Sequence, residues 1–148
     1  MAKRLTYTHF WASGPQRVDG RLWTEFANQA TILCRSYPEF IVPQSLLISI
    51  LGERIVTFDI PKRGIEGHFK LTAEPQSFAF CRTNRTGSDV LITALLLAAK
   101  QVFGSWITLT SDGLWNDWEP GIQACKDRLK YQDSQFESAK KDFTDLLG

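Results

Sequence analysis

Residues 77–113 of the chain read SFAFCRTNRTGSDVLITALLLAAKQVFGSWITLTSDG. A short apolar run at residues 77–81 is followed by polar and turn-forming residues at 82–87. A long apolar run comes next, and a second short run at residues 106–109 ends in Ser-Asp-Gly. This order of patterns is typical of a strand, a crossover helix and a second strand, so the stretch predicts a βαβ unit.

The long apolar run, residues 90–103, contains no Gly or Pro and is apolar on nearly every side. Such a helix is usually buried in the core of its protein. Ser88 or Asp89 is a good N-cap, and Gly104 stands where a helix commonly ends. The uncharged part, residues 90–99, is well short of the roughly 20 residues that span a bilayer, so we expect no membrane partner.

The predicted unit also indicates where a ligand would bind. A helical crossover makes its two strands parallel, so both strands end at one edge of the sheet, where open α/β sheets bind ligands. Guanidinium groups and free amides at a helix N-terminus favour an anion there. The predicted ligand-binding residues at this crevice are Arg82, Arg85, Ser88, Ser111 and Asp112. The alternative is that these loops are solvated connectors, with Ser88 and Asp89 acting only as caps.

A loop-like segment, LWNDWEPG, follows the crevice residues and contains Trp115. Tryptophan is enriched in the hot spots of protein interfaces, so Trp115 is a candidate anchor for an unidentified protein partner. The alternative is an aromatic lid on the edge of the sheet.

The same region carries a resemblance. FCRTNRTGSD, an apolar helix, TSDG and a nearby WEPG resemble small proteins of bacteriophages and prophages that have no assigned activity. The resemblance rests on Phe78, Phe80, Cys81, Arg82, Thr83, Asp89, Ser111, Asp112, Gly113 and Trp118. Where those proteins have Pro-Tyr before the aspartate, this chain has Gly87-Ser88. The resemblance implies a phage origin more than a mechanism.

The composition is that of an ordinary globular domain. The chain has 148 residues, 43% hydrophobic and 22% charged, which predicts a single domain over residues 1–148. Seventeen basic and sixteen acidic residues give a net charge of +1. No overall field therefore attracts nucleic acid, so nucleic-acid binding stays open but is not favoured.

Catalytic patterns are scarce. The three cysteines lie in apolar contexts without a CxxC motif, which suits reduced thiols in a cytoplasmic protein. The start of the chain lacks an apolar signal region. A Cys81–His68 pair and a metal site at Asp59, Glu66 and His68 are weak alternatives. We therefore predict no catalytic residues, no metal and no cofactor.

The rest of the chain supplies the surrounding elements. An early edge or first strand spans residues 3–11, and a helix capped by Asp19 runs to about residue 35 with Leu22 on its apolar face. Residues 46–60 are typical of a hairpin, although residues 46–51 alone could also form a short helix, and a further strand is predicted at 68–72. After Asp117, the pattern predicts two amphipathic helices that pack on the sheet or on a second subunit.

These patterns together predict a single α+β domain with a mixed sheet, a βαβ core unit and two C-terminal helices. The leading functional hypothesis is a non-catalytic binding protein that takes a small anionic ligand or a protein partner at the crevice. One alternative is a small hydrolase or phosphotransfer-type enzyme with Asp112 or Asp89 as its base. Another is an oligomeric assembly protein that associates through its C-terminal helices.

Overall fold

The computed structural model describes residues 6–61, 67–85 and 87–147, and in them the α+β class is confirmed. The strands are β1 Thr6–Ser13, β2 Leu47–Ser49, β3 Ile55–Ile60, β4 Gly67–Thr72, β5 Ala79–Asn84 and β6 Ile107–Ser111. The helices are α1 Gly20–Ser36, α2 Asp89–Phe103, α3 Glu119–Leu129 and α4 Glu137–Leu147.

The strands form two three-stranded antiparallel sheets where we predicted one mixed sheet. The first sheet has the order β5-β1-β6, so β5 and β6 are parallel to each other but separated by β1. The first strand of the chain is therefore the centre of its sheet, because it hydrogen-bonds to a strand on each side. The βαβ unit is present in split form, and β5 and β6 still end at the same edge.

The second sheet has the order β2-β3-β4. Its first pair is the predicted hairpin, with Leu47 opposite Thr57. At one end β4 lies directly beside β5, since a Cβ added to Gly67 would stand 2.5 Å from the carbonyl oxygen of Arg82. Only a residue without a side chain permits this approach.

Helix α2 is the core of the molecule, as its apolar sequence predicts. Twelve of its residues are buried, and it packs against the other three helices and the first sheet. Gly104 ends it with a positive φ of 59°. The segment Asp89–Trp106 is apolar and long enough to cross a membrane, yet it is 67% buried inside the fold, as core helices of soluble proteins are.

Helix α1 begins where predicted, because the Asp19 side chain accepts a hydrogen bond from the Arg21 amide at 3.0 Å. Its buried face differs slightly from the predicted one. Leu22 is 37% exposed, and Trp23 is fully buried in its place, stacked on Phe103. The other predicted members of this face, Phe26, Ala30 and Leu33, are buried.

The two C-terminal helices pack on their own chain. In α3, Gly121 lies against α2, and in α4 the Asp142 carboxylate reaches the Lys100 ammonium at 3.0 Å and the Leu109 amide at 2.9 Å. Asp142 thus satisfies an amide on the outer edge of β6. Asp117 caps a short 3₁₀ turn through the Leu114 amide, and α3 begins only at Glu119.

Candidate functional site

Four polar side chains are joined by hydrogen bonds near the edge where β5 and β6 end. We call His9, Thr83, Asp89 and Ser111 the His9 cluster. His9 Nε2 lies 2.6 Å from Asp89 Oδ1, and His9 Nδ1 lies 2.8 Å from Ser111 Oγ. The Thr83 hydroxyl donates to the same Asp89 oxygen at 2.6 Å. His9, Thr83 and Asp89 are each at most 1% exposed.

The strand register brings these residues together. His9 on β1 stands opposite Cys81 on β5 and Ser111 on β6, so all three lie on the inner face of the first sheet. Thr83, two residues after Cys81, lies on the same face. Asp89 begins α2, which crosses behind that face. The cluster therefore joins all three strands of the sheet to the start of the core helix.

Aromatic rings enclose the imidazole of His9. The Trp118 ring meets it edge-on at a centroid distance of 4.9 Å, and the Tyr7 ring stacks at 6.0 Å. Burial and a hydrogen bond to Asp117 raise the pKa of Tyr7, while the charge of Arg85 acts in the opposite direction. In the described part of the chain the buried indole nitrogen of Trp118 has no hydrogen-bond acceptor.

Three of the predicted crevice residues do lie at this edge. Ser111 belongs to the cluster, and its hydroxyl also accepts a hydrogen bond from the Gly113 amide at 2.9 Å. Ser88 is buried, and its hydroxyl accepts from the Asn84 amide at 3.1 Å rather than capping α2. Asp112 accepts from the Thr8 amide at 3.0 Å.

Arg85 is a fourth predicted residue near this edge, whereas Arg82 is not. Arg82 lies within β5 rather than in a loop, and it stands opposite Thr8 on the outer face of the sheet. It therefore does not share a crevice with Ser111. Arg85 is half-buried at the edge, close enough to Tyr7 for its charge to act on the hydroxyl. Trp115 is half-buried and packs edge-on against Phe143 at 5.3 Å.

A second concave feature lies between the two sheets, on the side where Arg82 points. We call it the inter-sheet groove, and its volume is about 780 Å³. It is lined by Val42, Asp59, Ile60, Gly67, His68, Lys70, Gln76, Phe78, Ala79, Phe80, Cys81 and Arg82. This volume is within the range of pockets that bind small molecules, roughly 300–1,000 Å³.

Exposed phenylalanines mark one side of this groove. Phe78 is 67% exposed and Phe80 is 56% exposed, and with Phe10 they form what we call the phenylalanine cluster. The three ring centroids are 5.7, 6.0 and 6.4 Å apart. A contiguous exposed apolar patch of this kind often marks a binding surface.

The weak catalytic and metal alternatives find little support in the geometry. The His68 imidazole is hydrogen-bonded to Asp59 at 2.7 Å, whereas the Cys81 thiol contacts backbone groups, the His68 amide and the Arg82 carbonyl oxygen. Burial raises the pKa of Cys81 to about 12, so the thiol is protonated at neutral pH. No group of three metal ligands occurs in the described residues, and Glu66 lies outside them.

No protein-family model, curated protein or solved structure matches this chain. The resemblance to phage and prophage proteins therefore stays a prediction.

Sequence reasoning missed the role of His9 and the inter-sheet groove. His9 alternates with Tyr7 and Trp11 along one strand, which predicts a common inward face, but the pattern does not reveal its partners 80 and 102 residues away. The groove could have been predicted in part from Phe78 and Phe80. Because they are two residues apart, both side chains lie on the same face of an extended chain.

Proposed function

We propose that this protein is a binding protein whose inter-sheet groove takes an anionic ligand with a planar ring, of which a mononucleotide is the simplest kind. The observation that carries the proposal is the co-location of exposed phenylalanines and an exposed arginine in one groove of about 780 Å³. The proposal keeps the anion-binding hypothesis and the role of Arg82, but it moves the site from the predicted crevice to the inter-sheet groove.

Two cations support the anionic part of the proposal. Arg82 on β5 and Lys70 on β4 both line the groove and are both exposed. Asp59 lines it too, but its carboxylate is already hydrogen-bonded to His68. A guanidinium can bind a phosphate or carboxylate with two parallel hydrogen bonds, which gives orientation as well as affinity.

The phenylalanines support the planar part. Phe78 and Phe80 expose most of their surface to solvent. An exposed patch of large apolar side chains is an informative feature of a protein surface. Bases stack on aromatic side chains with a gain of about 1–3 kcal/mol each, whatever their sequence. A ligand that stacks on these rings and meets Arg82 with its anion uses both features at once.

The test is calorimetric titration of the chain with AMP, adenosine and inorganic phosphate in turn. We expect AMP to bind, and each of its two halves to bind at least tenfold more weakly. Arg82→Ala should weaken AMP binding about tenfold or more, because a charge-assisted hydrogen bond contributes roughly 1.5–3 kcal/mol. Phe80→Ala should weaken AMP and adenosine alike.

Matched controls are available elsewhere on the surface. Arg21→Ala removes an exposed arginine from α1, and Leu51→Ala removes a side chain that is 78% exposed outside the groove. Both variants should bind AMP as the unchanged chain does. Absence of AMP binding at millimolar concentration, or equal loss in the Arg21 and Arg82 variants, would refute the proposal.

A further inference from the structure

Three side chains of the His9 cluster stand in the order hydroxyl, imidazole and carboxylate. The Ser111 hydroxyl is 2.8 Å from one ring nitrogen of His9, and the Asp89 carboxylate is 2.6 Å from the other. A nucleophile within hydrogen-bond reach of a base, with that base oriented by a third group, is the structural signature of an activated serine. The cluster lies on the opposite face of the sheet from Arg82 and the phenylalanine cluster.

The hydrogen-bond partners suit a base at His9. The Asp89 carboxylate accepts from the Thr83 hydroxyl and lies 2.6 Å from His9 Nε2, which places a ring proton on Nε2. In the tautomer that the proposal requires, His9 Nδ1 accepts from the Ser111 hydroxyl. The Gly113 amide donates to the Ser111 oxygen from the other side. His9 is thus held as a base that points at the serine.

The three residues of the array differ in burial, and a nucleophile needs to be the most exposed of them. His9 is fully buried and Asp89 is 1% exposed, whereas Ser111 is only half-buried. The rings of Tyr7 and Trp118 cover the imidazole and keep its partners fixed. Ser111 is therefore the least buried member of the array.

We propose that Ser111 is a nucleophile activated by His9, with Asp89 as the positioning residue, and that its substrates are carboxylic esters. This inference goes beyond the binding function and does not depend on the inter-sheet groove. It also differs from the hydrolase expected from the sequence, in which an aspartate was the base.

The steps balance without a cofactor. Ser111 Oγ attacks the ester carbonyl carbon while its proton moves to His9 Nδ1. The tetrahedral adduct then breaks its bond to the alcohol oxygen, which takes the proton from Nδ1 and leaves the acyl group on Ser111. Water attacks this acyl group, its proton passes through Nδ1 to Ser111 Oγ, and the acid is released.

The direct test treats the folded chain with a fluorophosphonate, a reagent that phosphonylates activated serines, and locates the adduct by peptide mass spectrometry. We expect the adduct on Ser111. His9→Gln should slow its formation at least 100-fold, as expected when a general base is lost. Ser105→Ala, at an exposed serine before β6, should leave the rate unchanged.

Hydrolysis of p-nitrophenyl acetate supplies a second readout. Ser111→Ala should abolish it above the buffer rate, and Asp89→Asn should lower kcat at least tenfold while KM stays within about twofold. Circular dichroism checks that each variant is folded, and labelling of the unchanged chain tests the proposal without any substitution. A folded, unchanged chain in which Ser111 reacts no faster than Ser105 would overturn the proposal and leave the cluster with a structural role only.

Discussion

At the scale of single residues, the His9 cluster shows how one buried side chain depends on all its neighbours. Both nitrogens of the imidazole have partners, and Asp89 receives two donors. A buried polar group that loses its partner costs about 1–3 kcal/mol, more than its hydrogen bond gains. The cluster therefore stabilises the junction of the sheet with α2 only while every member is present.

Thr83→Val tests this dependence, since valine keeps the shape of threonine but cannot donate to Asp89. We expect the free energy of unfolding to fall by about 1–3 kcal/mol, measured by urea denaturation. Thr108→Val, at an exposed threonine on β6, is the matched control and should change it by less than about 0.5 kcal/mol. Equal effects of the two substitutions would show that the Thr83 hydroxyl adds nothing to the cluster.

The cysteines offer a second prediction at this scale. Burial raises the pKa values of Cys34, Cys81 and Cys125 to about 12, so at pH 8 each thiol stays protonated and inert. In the folded chain we expect almost no reaction with Ellman's reagent over an hour at pH 8. In denaturant, all three thiols should react within minutes. Rapid reaction of even one thiol in the native chain would contradict this prediction.

At the scale of elements, the contact between α2 and α3 depends on a single glycine. A Cβ added to Gly121 would stand 2.1 Å from Thr93 Oγ1 and 2.9 Å from the Ala94 amide nitrogen. Thr93 Cβ, which would be 2.7 Å away, and the Ala94 nitrogen are held by the backbone of the buried core helix, so neither can give way unless that backbone moves.

Gly121→Ala should therefore push α3 away from α2. We expect a loss of about 1–3 kcal/mol in the free energy of unfolding, typical of overpacking, measured by urea denaturation. Gly20→Ala is the matched control, because its added methyl meets only the flexible end of the Arg54 side chain. A stabilising effect of Gly121→Ala would mean that the helices are less tightly packed than described.

Most elements could be predicted because their signals are local. Asp19 caps α1, Gly104 ends α2, and the two apolar runs on either side of Gly52-Glu53 predict the β2–β3 hairpin. The insertion of β1 between β5 and β6 could not be predicted, because its hydrogen bonds join residues about 70 to 100 positions apart. The alternation of side chains along β1 would look the same in a central strand and in an edge strand.

At the scale of the whole molecule, the candidate site was predicted only in part. The meeting of the ends of β5 and β6 follows from the crossover rule, and it places Ser88, Ser111 and Asp112 at one edge. The position of Arg82 could not be predicted, because it depends on where β5 ends. Since β5 continues to Asn84, Arg82 is a strand residue on the outer face of the sheet, away from Ser111.

The C-terminal helix bears on the oligomeric state. Among the described side chains in the last part of the chain, Phe136, Ala139 and Phe143 are buried against their own chain and need no second subunit to cover them. We expect light scattering to give the monomer mass of 16.8 kDa. A mass of twice that value would contradict this expectation and indicate an interface elsewhere, with the phenylalanine cluster as the first surface to mutate.

The most direct test of the binding proposal is a titration of the isotopically labelled chain with AMP, followed by amide chemical shifts in NMR spectra. The proposal predicts concentration-dependent shifts at residues 67–70 and 78–82, which line the inter-sheet groove, and small changes elsewhere. Shifts confined to Ser88 and residues 111–113, or none at millimolar AMP, would contradict the groove as the ligand site.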